Sequence, residues 1–356
     1  MQLHDFWFVL IAVLWSGYFL LEGFDFGVGI LLPFLSHDDV DRRVVINTIG
    51  PVWDGNEVWL LTAGGATFAA FPGWYASLFS GFYLALLVIL VALIARGVAF
   101  EFRGKHPDPR WKATWDKAIF LGSAVPALLW GVAFGNIVRG VPLDADHNFT
   151  GNFFTLLNPY ALLGGLTTLS LFTLHGALFL RLKTTGELRE RATRVAKLLA
   201  APTVVIAAGF LLWSEISYGK ASSAAVAAVA AIALLAGVAM ALRGRDGWSF
   251  TLNGAAIVAA VAALFIALYP NVLPSTTDAA GTLTVSNASS AHYTLTVMSW
   301  VAVIFTPVVL TYQGWTYWVF RKRLSRSDIV TEPAAAAGKP GIPVPRAGSD
   351  RPEVSQ

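Results

Sequence analysis

The 356-residue sequence contains no cysteine, and charged residues make up only 13% of it. Without cysteine the chain cannot form a disulfide, bind an iron–sulfur cluster or hold a thiolate zinc site. Only six histidines and three methionines are present, which leaves few ligands for haem or copper. Soluble domains carry about 25% charged residues, and this chain is 56% hydrophobic. Its composition is therefore that of an integral membrane protein.

Apolar runs of about 20 residues, the length of a helix that crosses a bilayer, predict nine transmembrane helices. They cover residues 6–34, 52–72, 75–100, 117–138, 159–182, 198–215, 221–242, 249–269 and 294–320. The first run is too long for a signal peptide and contains acids, so we interpret it as a retained span. The predicted fold is an all-α polytopic membrane protein. Residues 1–330 form a single transmembrane domain, and residues 331–356 form a disordered cytoplasmic tail.

Lysine and arginine alternate between the connections that join these spans. The odd-numbered connections and the C-terminal segment hold nearly all of them, whereas the even-numbered connections hold only Arg139 and Lys220. Cytoplasmic connections are enriched in lysine and arginine. The alternation therefore predicts an external N-terminus and a cytoplasmic C-terminus.

Ionisable side chains interrupt several of the predicted spans. With this orientation they gather in the cytoplasmic half of the membrane. A charge at the centre of a span costs roughly 2.5–3.5 kcal/mol, and Arg96 is the one cation well inside a predicted span. We predict that Arg96 is a structural counter-ion. The candidates for a proton path are Glu22, Asp25, Asp54, Glu57 and Asp116.

Simpler interpretations of these residues stay open. Asp54 and Glu57 begin a predicted helix, where the helix dipole favours anions, and Glu22 with Asp25 could form a static buried contact. His175 has no second histidine or methionine near it in sequence, so we interpret it as a hydrogen-bonded histidine of the core. Most tryptophans are interpreted as anchors at the membrane interfaces.

Several segments resemble subunit II of the cytochrome bd-type quinol oxidases, and the resemblance extends over about residues 6–328. These segments are Gly23-Phe24-Asp25-Phe26-Gly27-Val28-Gly29, Trp53-Asp54-Gly55-Asn56-Glu57-Val58-Trp59-Leu60, Phe68-Ala69-Ala70-Phe71-Pro72, Arg96-Gly97-Val98-Ala99-Phe100-Glu101, Gly151-Asn152-Phe153-Phe154-Thr155-Leu156-Leu157-Asn158-Pro159 and Thr296-Val297-Met298-Ser299-Trp300-Val301-Ala302-Val303.

The resemblance implies two four-helix bundles plus one peripheral helix, in a bacterial plasma membrane. The partner would be a similarly folded subunit I that carries three haems (two b-type, one d-type) and the quinol site. Together they would oxidise quinol and reduce oxygen to water, with protons taken from the cytoplasm. This chain would bind no haem or metal and would not be catalytic alone. Asp25 and Asp54 match aspartates that are candidates for the family's proton route.

The sequence leaves open the quinone type, small accessory subunits and a structural quinone bound to this chain. Membrane lipid is an expected partner and nucleic acid is not. A stand-alone proton-coupled transporter is the alternative function, although the inverted repeats typical of transporters are not found. A second alternative function is that of a purely structural subunit without a proton path.

Overall fold

The computed structural model describes residues 2–330 and is helical over most of its length. Three single 3-10 turns and a two-stranded antiparallel sheet, β1 (Asn271–Leu273) and β2 (Leu283–Thr284), lie in the connections. The predicted disordered tail lies outside the described residues. The helices are α1 (Leu3–Leu35), α2 (Asp39–Ile49), α3 (Trp53–Ala70), α4 (Pro72–Gly81), α5 (Tyr83–Phe102), α6 (Pro109–Arg139), α7 (Pro159–Lys183), α8 (Gly186–Tyr218), α9 (Ala221–Leu242), α10 (Asp246–Leu268), α11 (His292–Val319) and α12 (Arg326–Val330).

Eight helices of the described chain are long and apolar enough to cross a membrane: α1, α5 to α10, and α11. The all-α class of the prediction is therefore confirmed. The predicted second span corresponds to α3, which has 18 residues but begins with the polar residues Asp54, Asn56 and Glu57. Because these residues lower its hydropathy, α3 is not among the eight. The count of nine crossings stays a prediction.

Two predicted boundaries differ from the structure. The predicted span 75–100 is divided at Phe82 into α4 and α5. The helix α8 begins at Gly186, well before the predicted start at residue 198. Its first turns are rich in charge, and an apolar-run criterion detects only the part of a helix that lies in the hydrocarbon. The same criterion missed α2, which is short and polar.

Local sequence explains where several helices begin. The side chain of Asp108 accepts a hydrogen bond from the Arg110 N–H before α6, and Asn158 accepts from the Ala161 N–H before α7. Each cap is followed by a proline, Pro109 or Pro159, at the first helical position. Proline is favoured there because its missing N–H would have no partner in the helix.

The helix α1 lies at the centre of the fold and packs against α3, α6, α7 and α10. Its contact with α7 is closest at Gly27. A Cβ atom at this position would lie 2.8 Å from the Gly176 Cα atom and would clash with the Phe172 carbonyl oxygen. Small residues allow membrane helices to approach this closely, so the glycines of α1 fix its distance from α7.

Different contacts hold the two ends of the bundle. At one end Arg103, in the 3-10 turn directly after α5, binds Asp39 of α2, and Arg191 of α8 binds Asp41 of α2, each at 2.8 Å. At the other end, backbone hydrogen bonds join the loop after α6 to the loop after α10. The connections to which the charge pattern assigns a cytoplasmic position thus meet at one end.

Candidate functional site

Arg96 of α5 lies between two carboxylates at the contact of α1, α3 and α5. Its Nη2 donates a hydrogen bond to Glu22 Oε1, and neither side chain has exposed surface. Glu57 Oε2 lies 3.8 Å from the same nitrogen, and the Glu57 side chain is 21% exposed. The guanidinium also lies over the Phe26 ring, 4.8 Å from its centroid. A single cation therefore faces one fully buried and one partly buried carboxylate.

Gly122 of α6 determines how closely α6 covers Arg96. A Cβ atom at Gly122 would lie 2.6 Å from the Ala92 carbonyl oxygen and 2.7 Å from the Arg96 Cβ atom. These distances are shorter than van der Waals contact. The glycine therefore lets the backbone of α6 shield Arg96, and shielding from water strengthens the interaction of Arg96 with Glu22.

Asp25 and Asn56 form the second part of the site, and both are fully buried. The Asn56 Nδ2 donates to Asp25 Oδ2 at 2.7 Å. The other oxygen, Asp25 Oδ1, has no hydrogen-bond partner in the described part of the chain. Asn56 Oδ1 accepts from Tyr317 OH at 2.7 Å and from Gln313 Nε2 at 3.2 Å.

Sequence reasoning missed the two residues that α11 contributes. Gln313 and Tyr317 are four residues apart on the mainly apolar helix α11, a spacing that places them on one face. This spacing was the only available signal. Trp59 is one of the tryptophans that the sequence suggests as interface anchors, and it donates its indole N–H to Gln313 Oε1 at 2.8 Å. Polar contacts therefore join α11 to Asn56.

A groove of about 820 Å³ runs between α1, α3 and α11. Asp54, Asn56, Gln313 and Tyr317 line part of it, among mainly apolar neighbours. Asp54 is exposed and lies on α3 three residues before Glu57, so the two share a helix face. The groove brings an exposed carboxylate and the amide that holds Asp25 to one surface.

Asp116 lies in a different group of charges. Its carboxylate binds Arg103 Nε at 2.6 Å and Arg42 Nε at 3.2 Å. Arg103 in turn binds Asp39, so this group joins α2, α5 and α6. Of the five acids predicted as a proton path, four lie around Arg96, Asn56 and the groove, and Asp116 lies in this separate ion network.

His175 is buried and its Nδ1 lies 3.0 Å from Asn253 Nδ2. Its ring stacks on Phe250 with centroids 4.5 Å apart and planes at 2°. This environment agrees with the prediction of a hydrogen-bonded core histidine. Across residues 2–330, no group of three or more His, Cys, Asp or Glu is placed to hold a metal ion.

The fold and this site define a multi-pass α-helical membrane protein with a buried acid–arginine cluster. The chain belongs to the cytochrome bd terminal oxidase subunit II family, whose model matches residues 3–320.

The chain is 44% identical to the cytochrome bd ubiquinol oxidase subunit 2 of Bacillus subtilis (strain 168), over 93% of this chain and 99% of that protein. It is 38% identical to the cytochrome bd-I ubiquinol oxidase subunit 2 of Escherichia coli (strain K12), over 91% of this chain and 95% of that protein. A chain in the structure of bd oxidase from Geobacillus thermodenitrificans has the same fold, with a TM-score of 0.71 at 17% identity over 90% of this chain and 99% of that chain.

These similarities confirm the resemblance found in the sequence. The chain is a component of an oxidoreductase complex of the respiratory chain and a multi-pass protein of a bacterial membrane. Membership of a subunit II family implies a partner subunit I. It also argues against the alternative of a stand-alone transporter.

Proposed function

We propose that this chain is the haem-free subunit of a quinol oxidase complex, that it stabilises subunit I, and that it supplies a path for protons from the cytoplasm. The three haems (two b-type, one d-type) and the quinol site would then belong to subunit I. The scarcity of haem-ligand residues in the sequence, with six histidines, three methionines and no cysteine, supports a haem-free role. One observation carries the proton path: two fully buried carboxylates, Glu22 and Asp25, lie beside one arginine and close to a groove that Asp54 lines.

A topology of nine crossings, with α3 as the second and the N-terminus outside, is part of this proposal. Its support is the meeting of the lysine- and arginine-rich connections at one end of the bundle. Positive connections lie on the cytoplasmic side of bacterial membranes. In this orientation Asp54 and Glu57 begin α3 on the cytoplasmic side. The proposed mouth of the path is therefore at that surface.

The charge balance of the cluster suits proton transfer. Arg96 stays protonated in proteins and compensates one carboxylate. A second carboxylate near it is costly in a water-poor site, and binding a proton removes that cost. Glu57 is partly exposed and lies near Arg96, which binds Glu22. The order of approach that we propose is Asp54, then Glu57, then the buried carboxylates Glu22 and Asp25.

The experiment that tests the path replaces Asp54 or Asp25 by asparagine in the assembled complex. We expect oxygen reduction to slow by roughly tenfold or more, because each variant removes a group that binds a proton, while haem content stays normal. Asp278→Asn is the matched control, since Asp278 is exposed in the loop between β1 and β2.

Two outcomes would contradict the proposal. Unchanged turnover in both variants would exclude a proton path through these carboxylates. Loss of haem or of the complex would support the purely structural function instead. Small accessory subunits and a structural quinone stay open, and membrane lipid stays an expected partner.

A further inference from the structure

We infer that Trp59, Gln313 and Tyr317 are positioning residues that fix the Asn56 amide, so that Asp25 can carry a proton on Oδ1 and not on Oδ2. This inference rests on the proposed proton path and specifies the atom through which Asp25 would act. It assigns a role to the peripheral helix α11, which has few buried side chains.

Trp59 fixes the first hydrogen-bond direction, because an indole N–H can only donate a hydrogen bond. It donates to Gln313 at 2.8 Å, so the atom of Gln313 that faces Trp59 must be the carbonyl oxygen Oε1. The –NH₂ group of Gln313 is then the atom that faces Asn56, at 3.2 Å. The atom of Asn56 nearest to it must accept, and is therefore Oδ1.

With Oδ1 assigned, the –NH₂ group of Asn56 points at Asp25 Oδ2, 2.7 Å away. The hydroxyl of Tyr317 donates to the same Asn56 Oδ1 at 2.7 Å. A reversed Asn56 amide would place its –NH₂ group against the –NH₂ group of Gln313. It would also place its oxygen against the Asp25 carboxylate. The direction of every hydrogen bond in the chain thus follows from the single donor at Trp59.

The two carboxylate oxygens of Asp25 differ in their hydrogen bonding. Oδ2 already accepts from the Asn56 amide, so a proton on Oδ2 would compete with that N–H for the lone pairs of the oxygen and weaken the hydrogen bond. Oδ1 has no partner among residues 2–330. The hydrogen-bond chain therefore leaves Oδ1 as the atom that gains or loses a proton. The amides hold the carboxylate but cannot pass a proton through it to α11.

The test uses the assembled complex and three variants that each remove one donor: Trp59→Phe, Gln313→Met and Tyr317→Phe. Infrared difference spectra report the carboxyl and carboxylate bands of Asp25, recognised as the bands that disappear in Asp25→Asn or move in Asp25→Glu. We expect these bands to shift in all three variants. Turnover should fall roughly two- to tenfold, the range for loss of one hydrogen bond, with haem content unchanged.

Tyr312→Phe is the matched control for Tyr317→Phe. Tyr312 lies on the same helix and is 66% exposed, so its hydroxyl can be removed without touching Asn56. Its variant should leave the Asp25 bands and turnover unchanged. Tyr317→Phe removes a single oxygen, so it is the variant least able to disturb folding and it decides the test if the larger changes lose haem.

The inference and the proposed path can fail separately. Identical Asp25 bands in the wild type and the three variants would overturn the inference, even if turnover fell. Shifted bands together with normal turnover in Asp25→Asn would support the positioning of Asp25 by Asn56 and overturn the proton path.

Discussion

Arg96 of α5 and Glu22 of α1 form an ion pair in which neither side chain is exposed. Each charge has lost its water, so each depends on the other for compensation. The pair therefore fixes α5 against the central helix α1 at the depth where Asp25 and Asn56 meet. Removing one member has a different consequence from removing both.

Arg96→Met should lower the stability of the complex by about 3–5 kcal/mol, because it leaves the buried Glu22 without a cation. The double variant Arg96→Met with Glu22→Leu should regain much of this loss, since it buries no uncompensated charge. Thermal unfolding of the purified complex and its yield from membranes measure both effects. Equal stability of the single and double variants would contradict the view that the uncompensated charge of Glu22 causes the loss.

Gly27→Ala should destabilise the complex by about 1–3 kcal/mol, the usual range for overpacking a close contact. The new methyl group would meet the backbone of α7 at Phe172 and Gly176, and backbone cannot move aside as a side chain can. Gly247→Ala is the matched control, because a Cβ atom at Gly247 has no neighbour within 4 Å among the described residues. The thermal unfolding midpoint should fall for Gly27→Ala and stay the same for Gly247→Ala.

Asp116→Asn separates the two groups of acids. Asp116 binds Arg42 and the buried Arg103 near the end of the bundle, so its loss should cost about 1–3 kcal/mol of stability but leave oxygen reduction unchanged. Turnover should be measured beside Asp54→Asn in the same membranes. A decrease as large as that of Asp54→Asn would place Asp116 on the proton path, as the sequence predicts.

Asp41 should make the end of the bundle that holds α2 sensitive to acid. Burial alone would raise the pKa of Asp41, but hydrogen bonds from the His37 backbone N–H, Arg191 and Arg326 outweigh burial and hold the pKa below its ordinary value. A lowered pKa means that the ionised form stabilises the fold above the unfolded-state value of about 3.9. This contribution is lost as the pH falls from there through the folded-state pKa.

The measurement is the thermal unfolding midpoint of the complex between neutral pH and about pH 3. The wild type should lose stability in the acid part of this range. Asp41→Asn should be less stable at neutral pH and should lack this step. An Asp41→Asn variant with the same acid step as the wild type would show that other carboxylates cause it.

The apolar runs were sufficient to predict most of the long helices, because a helix that crosses a bilayer must be predominantly apolar. The acids that interrupt these runs were equally visible, and four of them do lie around one site. The division at Phe82 was not predicted, because Ser80 and Gly81 interrupt the surrounding apolar run only briefly. The hydropathy of a run indicates whether the segment can lie in lipid, but it does not show whether the segment forms one continuous helix.

Gln313, Tyr317 and Trp59 could not be assigned from the sequence. Gln313 and Tyr317 lie 257 and 261 positions from Asn56, and only the packing of α11 against α3 brings them together. The position of a polar residue in the sequence of a helix does not show which neighbouring helix its side chain contacts. The interpretation of Trp59 as an interface anchor rested on a general preference of tryptophan, which does not predict its specific hydrogen bond to Gln313.

The contact between Arg326 and Asp41 joins residues 285 positions apart. During synthesis Asp41 leaves the ribosome early, whereas Arg326 follows the last long helix of the described chain. We expect this ion pair to close only after α11 has been inserted with its C-terminal end on the same side as α2. A chain whose last helix had failed to insert, or had inserted in reverse, would leave the buried Asp41 with Arg191 alone. The pair would therefore stabilise only those chains in which α11 has been inserted in the correct direction.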